Sequence, residues 1–182
     1  MHVIWYTAMS MDGRIADAAD SLDFLDLISD RPEAKGEFPL FVAAIDAVLI
    51  GATTLRWLLR GGHGWPHDDL PTWLLSHDAS LLTEVGETRA PLRRIEGDVA
   101  VALDEIEVAG HQRVWLCGGG SVAGQVLALD RLDEVEVTVA PTILGTGAAL
   151  VDASSLPLHR FKLAECRPAG GDAARLRWLR DR

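Results

Sequence analysis

The sequence predicts an α/β domain built around a largely parallel sheet. Three observations lead there. Short apolar runs recur along the chain, helical stretches separate them, and two of the runs end in glycine where a helix begins. Parallel neighbours need crossover connections, and the helical stretches supply them.

Residues 2–9 (HVIWYTAM) are apolar almost throughout, as in a strand buried on both faces. Residues 10–13 break the run, with Gly13 freeing the backbone to turn. Residues 20–30 set Leu22, Leu25 and Ile28 on one helical face, and Phe38, Phe41, Val42 and Ile45 form a second stripe. Both stripes read as core-facing. Residues 46–51 (DAVLIG) form a short strand ending in Gly51; Thr53 or Thr54 can cap the helix that runs through 55–59. A buried strand follows over 72–76 (TWLLS), then a helix over 99–108 and a strand over 113–117 (RVWLC). Three glycines, 118–120, lead into a helix over 122–129. Residues 135–140 (VEVTVA) alternate as a strand, and 175–179 (RLRWL) alternate again as an antiparallel tail. The turn-rich stretches 60–71 and 141–147 are too short to separate domains, so residues 1–182 are expected to form one.

Composition narrows the class of function. The chain carries 27 acidic against 17 basic residues, a net charge of -10, which argues against nucleic acid and anionic membrane surfaces as partners. Cys117 and Cys166 form no CxxC pair, so neither a disulfide framework nor a structural zinc site is expected. His63 and His67 (HGWPH) lack a spacing that converges on a metal, and none is expected. No basic segment leads into a long apolar run at the N-terminus, and no stretch approaches the ~18 apolar residues of a membrane span. A cytoplasmic protein is the expectation.

Four places can carry chemistry. In residues 113–129, Gly118, Gly119 and Gly120 let the backbone turn tightly after a buried strand, and the following helix aims unpaired N–H groups at that turn. This suits a phosphate; a tight turn without ligand is the alternative. Gly118, Gly120 and Ala123 match G-x-G-x-x-A, but Asp133 and Glu134 begin the next strand, where the dinucleotide fingerprint would have its acid end one. Residues 48–55 (VLIGATTL) repeat the strand–glycine–helix junction. In a parallel sheet both junctions face one edge, where the two could hold both phosphates of a dinucleotide. Residues 8–15 (AMSMDGRI) leave the first strand toward the same edge, with Asp12 as the ionisable group for proton work, or simply a turn residue. Residues 141–147 (PTILGTG) read only as a loop.

Taken in order, AMSMDGRIA, IDAVLIGATTL, GWPHDDLPTWLLS, VWLCGGGSVAGQVL and LDEVEVTVAPTILGTGAAL resemble the dihydrofolate-reductase-like superfamily. The branch resembled is the C-terminal reductase domain of the bifunctional riboflavin-biosynthesis deaminase–reductase. The resemblance implies a three-layer α/β fold whose mixed, largely parallel sheet has about eight strands flanked by helices. It also implies NADPH (NADH being possible) along the carboxyl edge, hydride transfer to a small heterocyclic substrate, and a homodimer. By position, Ala8 and Ile15 are implied to border the nicotinamide. Gly51, Thr53 and Thr54 are implied near the pyrophosphate, Ser76 near the adenosine ribose, and Gly118, Gly119, Gly120, Ser121 and Val122 as the phosphate turn. Ala52 and His77 stand where the family often has Arg, so Arg56, Arg93 or His77 are left to meet a 2′-phosphate. Cys117 replaces a glutamate, and only Asp23 lies near the position of the dihydrofolate reductase carboxylate. The substrate therefore stays open between 5-amino-6-(5-phosphoribosylamino)uracil and dihydrofolate, with a non-catalytic nucleotide-binding module as the alternative. Trp178 in the last strand is expected either at a subunit interface or in the core.

Overall fold

The computed structural model describes residues 1–29, 36–62, 64–152 and 155–182. The last position of the helix expected over 20–30, and His63 of the HGWPH segment, lie outside them.

Eight strands form one sheet in the order β4-β3-β2-β5-β1-β6-β8-β7. They are β1 (His2–Ser10), β2 (Ala47–Gly51), β3 (Thr72–Leu75), β4 (Leu92–Ile95), β5 (Arg113–Cys117), β6 (Glu134–Ala140), β7 (Phe161–Pro168) and β8 (Ala174–Arg180). The first six in that order pair parallel, and β8 pairs antiparallel with both β6 and β7. Among the described residues six helices accompany them: α1 (Asp26–Ser29), α2 (Glu37–Ala43), α3 (Ala52–Arg60), α4 (Ser80–Val85), α5 (Val99–Val108) and α6 (Gly120–Ala128). None of the described helices is long and apolar enough to cross a membrane.

Strand alternation divides the core into two layers. Val3 and Trp5 of β1, Ala47 and Leu49 of β2 and Leu116 of β5 face α5 and α6, meeting Val99, Leu103, Ile106, Ala123 and Val126. Ile4, Val48, Ile50, Leu74 and Trp115 face the other side, against Leu55 of α3, Leu81 of α4, and Phe38 and Phe41 of α2. The result is three layers, with the sheet in the middle.

The structure corrects several expectations. Among described residues 20–29 the expected continuous helix is replaced by a 3₁₀ turn (Asp23–Leu25) that runs into α1 at Asp26. The second stripe is helical only from Glu37 to Ala43, and Ile45 lies beyond it. Strands β4 and β7 and helix α4 were not anticipated. Both strands are sheet edges and lack the continuous apolar run of an interior strand. Residues 92–95 read LRRI, and six of the eight residues of β7 are exposed.

Candidate functional site

The strand order reverses beside β5, which lies between β2 and β1. There the chain leaves β2 for α3 on one face of the sheet and leaves β5 for α6 on the other. A crevice opens at such a switch point, outside the carboxyl ends of the strands. A groove of about 560 Å³ occupies that place, lined by Gly51–Thr54, Arg56, Leu75–Asp78, Gly97, Gly119, Ser121, Val122 and Gln125.

Both helices enter the groove without a side-chain cap. Gly51 is the N-cap of α3 and Gly119 that of α6, and neither helix start is capped by a side chain. The expectation that Thr53 or Thr54 caps α3 is thus corrected: the helix already begins at Ala52, and both threonines lie inside its first turn. The first N–H groups of two nine-residue helices are left for a ligand, with the positive ends of both dipoles beside them. The junctions touch, since a Cβ on Gly51 would come within 2.9 Å of the Val122 side chain.

The three glycines after β5 have different jobs. Gly119 lines the groove, and a Cβ there would meet only the Ile15 side chain, at 3.6 Å. Gly120 faces away, and its Cβ would come within 2.5 Å of the Leu150 carbonyl oxygen and 2.6 Å of that of Ala149. It is glycine so that the chain can cross the start of α6. Gly118 offers its carbonyl to the indole N–H of Trp5, at 3.1 Å. Trp5 is only 1% exposed, so a core side chain of β1 fixes the glycine turn. Sequence reading named Trp5 only as part of a buried strand.

Of the other sequence-predicted residues, Gly51, Thr53, Thr54, Ser76, Ser121 and Val122 line the groove, and Ile15 stands beside Gly119 without lining it. Ala8 is half-buried on β1 opposite Thr138, and Gly118 and Gly120 stand behind the surface. Asp12 does not suit proton transfer. Its carboxylate accepts from the Ser10 hydroxyl (2.6 Å) and from the amides of Leu144 (3.1 Å) and Gly145 (2.8 Å), which lower its pKa to about 2. Ionised and held by these three bonds, it clamps the loop after β1 to residues 144–145 of the loop after β6.

Three cations were left to answer for a 2′-phosphate. Arg93 is not at the groove; its guanidinium lies 5.7 Å from the Trp73 ring centre, on the α5 side of the sheet. Arg56 and His77 do line it. Arg56 donates to Asp78 at 2.8 Å, and Asp78 is a groove residue that sequence reading missed. Its signal was an Asp two residues before Ser80, at the start of α4. Burial pushes the Cys117 thiol up to about 12, so it does not replace a glutamate's charge. His67 packs among Phe38, Trp65 and Trp115, and burial holds its pKa below the usual 6.5.

Fold and groove together define a three-layer α/β domain with a ligand-sized groove along the carboxyl edge of its sheet. The chain belongs to the RibD C-terminal domain family, whose profile matches residues 1–174. It is 25% identical over 153 residues to YwjB of Bacillus subtilis (strain 168), an uncharacterized protein, covering 81% of this chain and 80% of that one. A protein of Shewanella sp. PV-4, provisionally named for riboflavin biosynthesis, superposes over the full length of both chains with a TM-score of 0.81 at 22% identity. Acinetobacter baumannii RibD gives a TM-score of 0.74 at 20% identity; the match covers 99% of this chain and 58% of that one.

Proposed function

We propose that this chain is a reductase that binds a nicotinamide dinucleotide along the groove and reduces a C=N or C=O bond of a small heterocycle. One observation carries the reading. Two uncapped helix N-termini, from α3 and α6, meet at one sheet-edge groove in a chain of the RibD C-terminal domain family. The residues present fit the cofactor: Gly119 leaves the backbone bare of a Cβ, and paired N–H groups suit a diphosphate. Such a cofactor, when bound, supplies the hydride.

The chain's own part is to hold and orient. The first-turn amides of α3, with Thr53 and Thr54, and those of α6, with Ser121, would hold the diphosphate. Ile15 and Ala8 would border the nicotinamide, and Ser76 would lie beside the adenosine ribose. The Asp12 clamp keeps the loops after β1 and β6 together at the same edge. The substrate we favour is 5-amino-6-(5-phosphoribosylamino)uracil. A structurally similar Thermotoga maritima protein, with a TM-score of 0.70 at 19% identity, is named as a deaminase and reductase whose reductase acts on that compound.

Loss of nicotinamide absorbance in single-turnover mixtures of protein, reduced dinucleotide and this pyrimidine tests the reading. Oxidation that depends on both protein and pyrimidine is expected. Calorimetric binding of dinucleotide with no oxidation, whichever heterocycle is offered, would leave a nucleotide-binding module and overturn the reductase.

A further inference from the structure

We infer that Asp78 sets the cofactor preference of the groove, so that NADH is accepted at least as well as NADPH. The inference rests on the dinucleotide reading above and concerns the end of the groove formed by β3, β4 and the starts of α3 and α4.

The two cofactors differ there by one group, a ribose 2′-hydroxyl against a 2′-phosphate. A 2′-phosphate brings close to two negative charges and needs a cation free to meet it. Among the described residues, Arg93 on the far face of β4 apart, the cations at this end each face a carboxylate. Arg56 donates to Asp78 at 2.8 Å, and Arg94 donates to Glu96 at 3.1 Å and to the Ser76 carbonyl at 2.9 Å. His77 lies 3.9 Å from Glu96.

Asp78 is held in place as well as charged. Its Oδ1 accepts from the amide of Ser80 at 3.0 Å and from the Ser80 hydroxyl at 2.7 Å, and its own amide donates to the Ser76 hydroxyl at 3.0 Å. The Ser80 bonds and Arg56 lower its pKa to about 2, so it is ionised at any physiological pH. With Oδ1 accepting twice, Oδ2 accepts from Arg56 and keeps one lone pair. A ribose 2′-hydroxyl can donate to that lone pair, whereas a phosphate would oppose a fixed carboxylate. An acid beside a 2′-hydroxyl and a free Arg beside a 2′-phosphate are the two general solutions at nucleotide sites. Here the acid is present and the Arg is engaged by it.

The test is calorimetric titration of the whole chain with NADH and with NADPH, for wild type, Asp78→Asn and Asp78→Asn/Arg56→Gln. Asn keeps an oxygen for the Ser80 amide, so the turn before α4 stays capped; Asp78→Ser, which can also cap, is a second variant should Asn fold poorly. Wild type is expected to bind NADH at least as tightly as NADPH. Asp78→Asn should move the affinity ratio toward NADPH by ten-fold or more by freeing Arg56, and the double variant should lose that gain. A wild-type preference for NADPH of ten-fold or more, or a ratio unmoved by Asp78→Asn, would overturn the role given to Asp78 while leaving dinucleotide binding intact. Binding of neither dinucleotide by any variant would overturn the dinucleotide reading, and this inference with it.

Discussion

Adjacent glycines in this chain answer to different constraints. Gly119 has φ −76° and ψ 176°, a conformation open to any residue, and its missing Cβ leaves room only toward Ile15 and the groove. The absent Cβ of Gly120 makes room for the backbone of residues 149–152. The two sites should therefore respond oppositely to alanine. Gly120→Ala is expected to lose about 1–3 kcal/mol of stability, because the carbonyls of Ala149 and Leu150 must move aside. That corresponds to a fall of roughly 2–12 °C in Tm for a chain of this size. Gly119→Ala should unfold within a degree or two of wild type yet bind reduced dinucleotide roughly ten-fold more weakly, a loss of about 1.4 kcal/mol. Thermal unfolding and titration of both variants check this; unaltered affinity in a well-folded Gly119→Ala protein would remove that glycine from the site.

At the scale of elements, β1 supports the phosphate turn as well as the core. Its Trp5 indole N–H holds the Gly118 carbonyl at the end of β5, so the start of α6 is positioned by a strand more than a hundred residues earlier in the chain. Trp73 of β3 makes a similar bond to Glu105 of α5, at 3.2 Å, on the same face of the sheet, but neither partner lines the groove. Replacing either by Phe removes a hydrogen bond and some packed volume, at a cost of about 1–3 kcal/mol. Trp5→Phe should also loosen the turn and weaken dinucleotide binding several-fold, while Trp73→Phe should leave affinity within two-fold of wild type. Equal affinities in the two variants would reduce Trp5 to a packing residue. The helices α3 and α6 complement this arrangement. Having no capping side chains, they leave their first amides for whatever enters the groove.

For the whole molecule, the antiparallel end of the sheet bears on assembly. Trp178 of β8 pairs with Val135 of β6 and Leu163 of β7, so all three share one face of the sheet. Trp178 is half-buried within the chain, whereas Leu163 on the edge strand is 57% exposed. A second copy laid over this apolar strip would cover Leu163 and complete the burial of Trp178. Light scattering at micromolar concentration is expected to give twice the 19.7 kDa chain mass. Trp178→Ala should shift that species toward the monomer without unfolding it. A wild-type mass of one chain would sink the dimer, and a Trp178→Ala protein that cannot fold would assign the residue to the core.

The sequence by itself determined the fold class, the interior strands and both glycine junctions of the groove. Strands β1, β2, β3, β5 and β6 are carried by local apolar runs, and strand–glycine–helix order is a property of neighbouring residues. Only the tertiary structure decided the rest. Strands β4 and β7 are sheet edges, and α4 is a six-residue helix with a single buried side chain, so burial imposes little local pattern on any of them. The opposed roles of Gly119 and Gly120, the Asp12 clamp, the Trp5 support and the engagement of Arg56 by Asp78 depend on partners far apart in the chain. No spacing announces such a pair, because folding alone brings its two members within hydrogen-bonding reach.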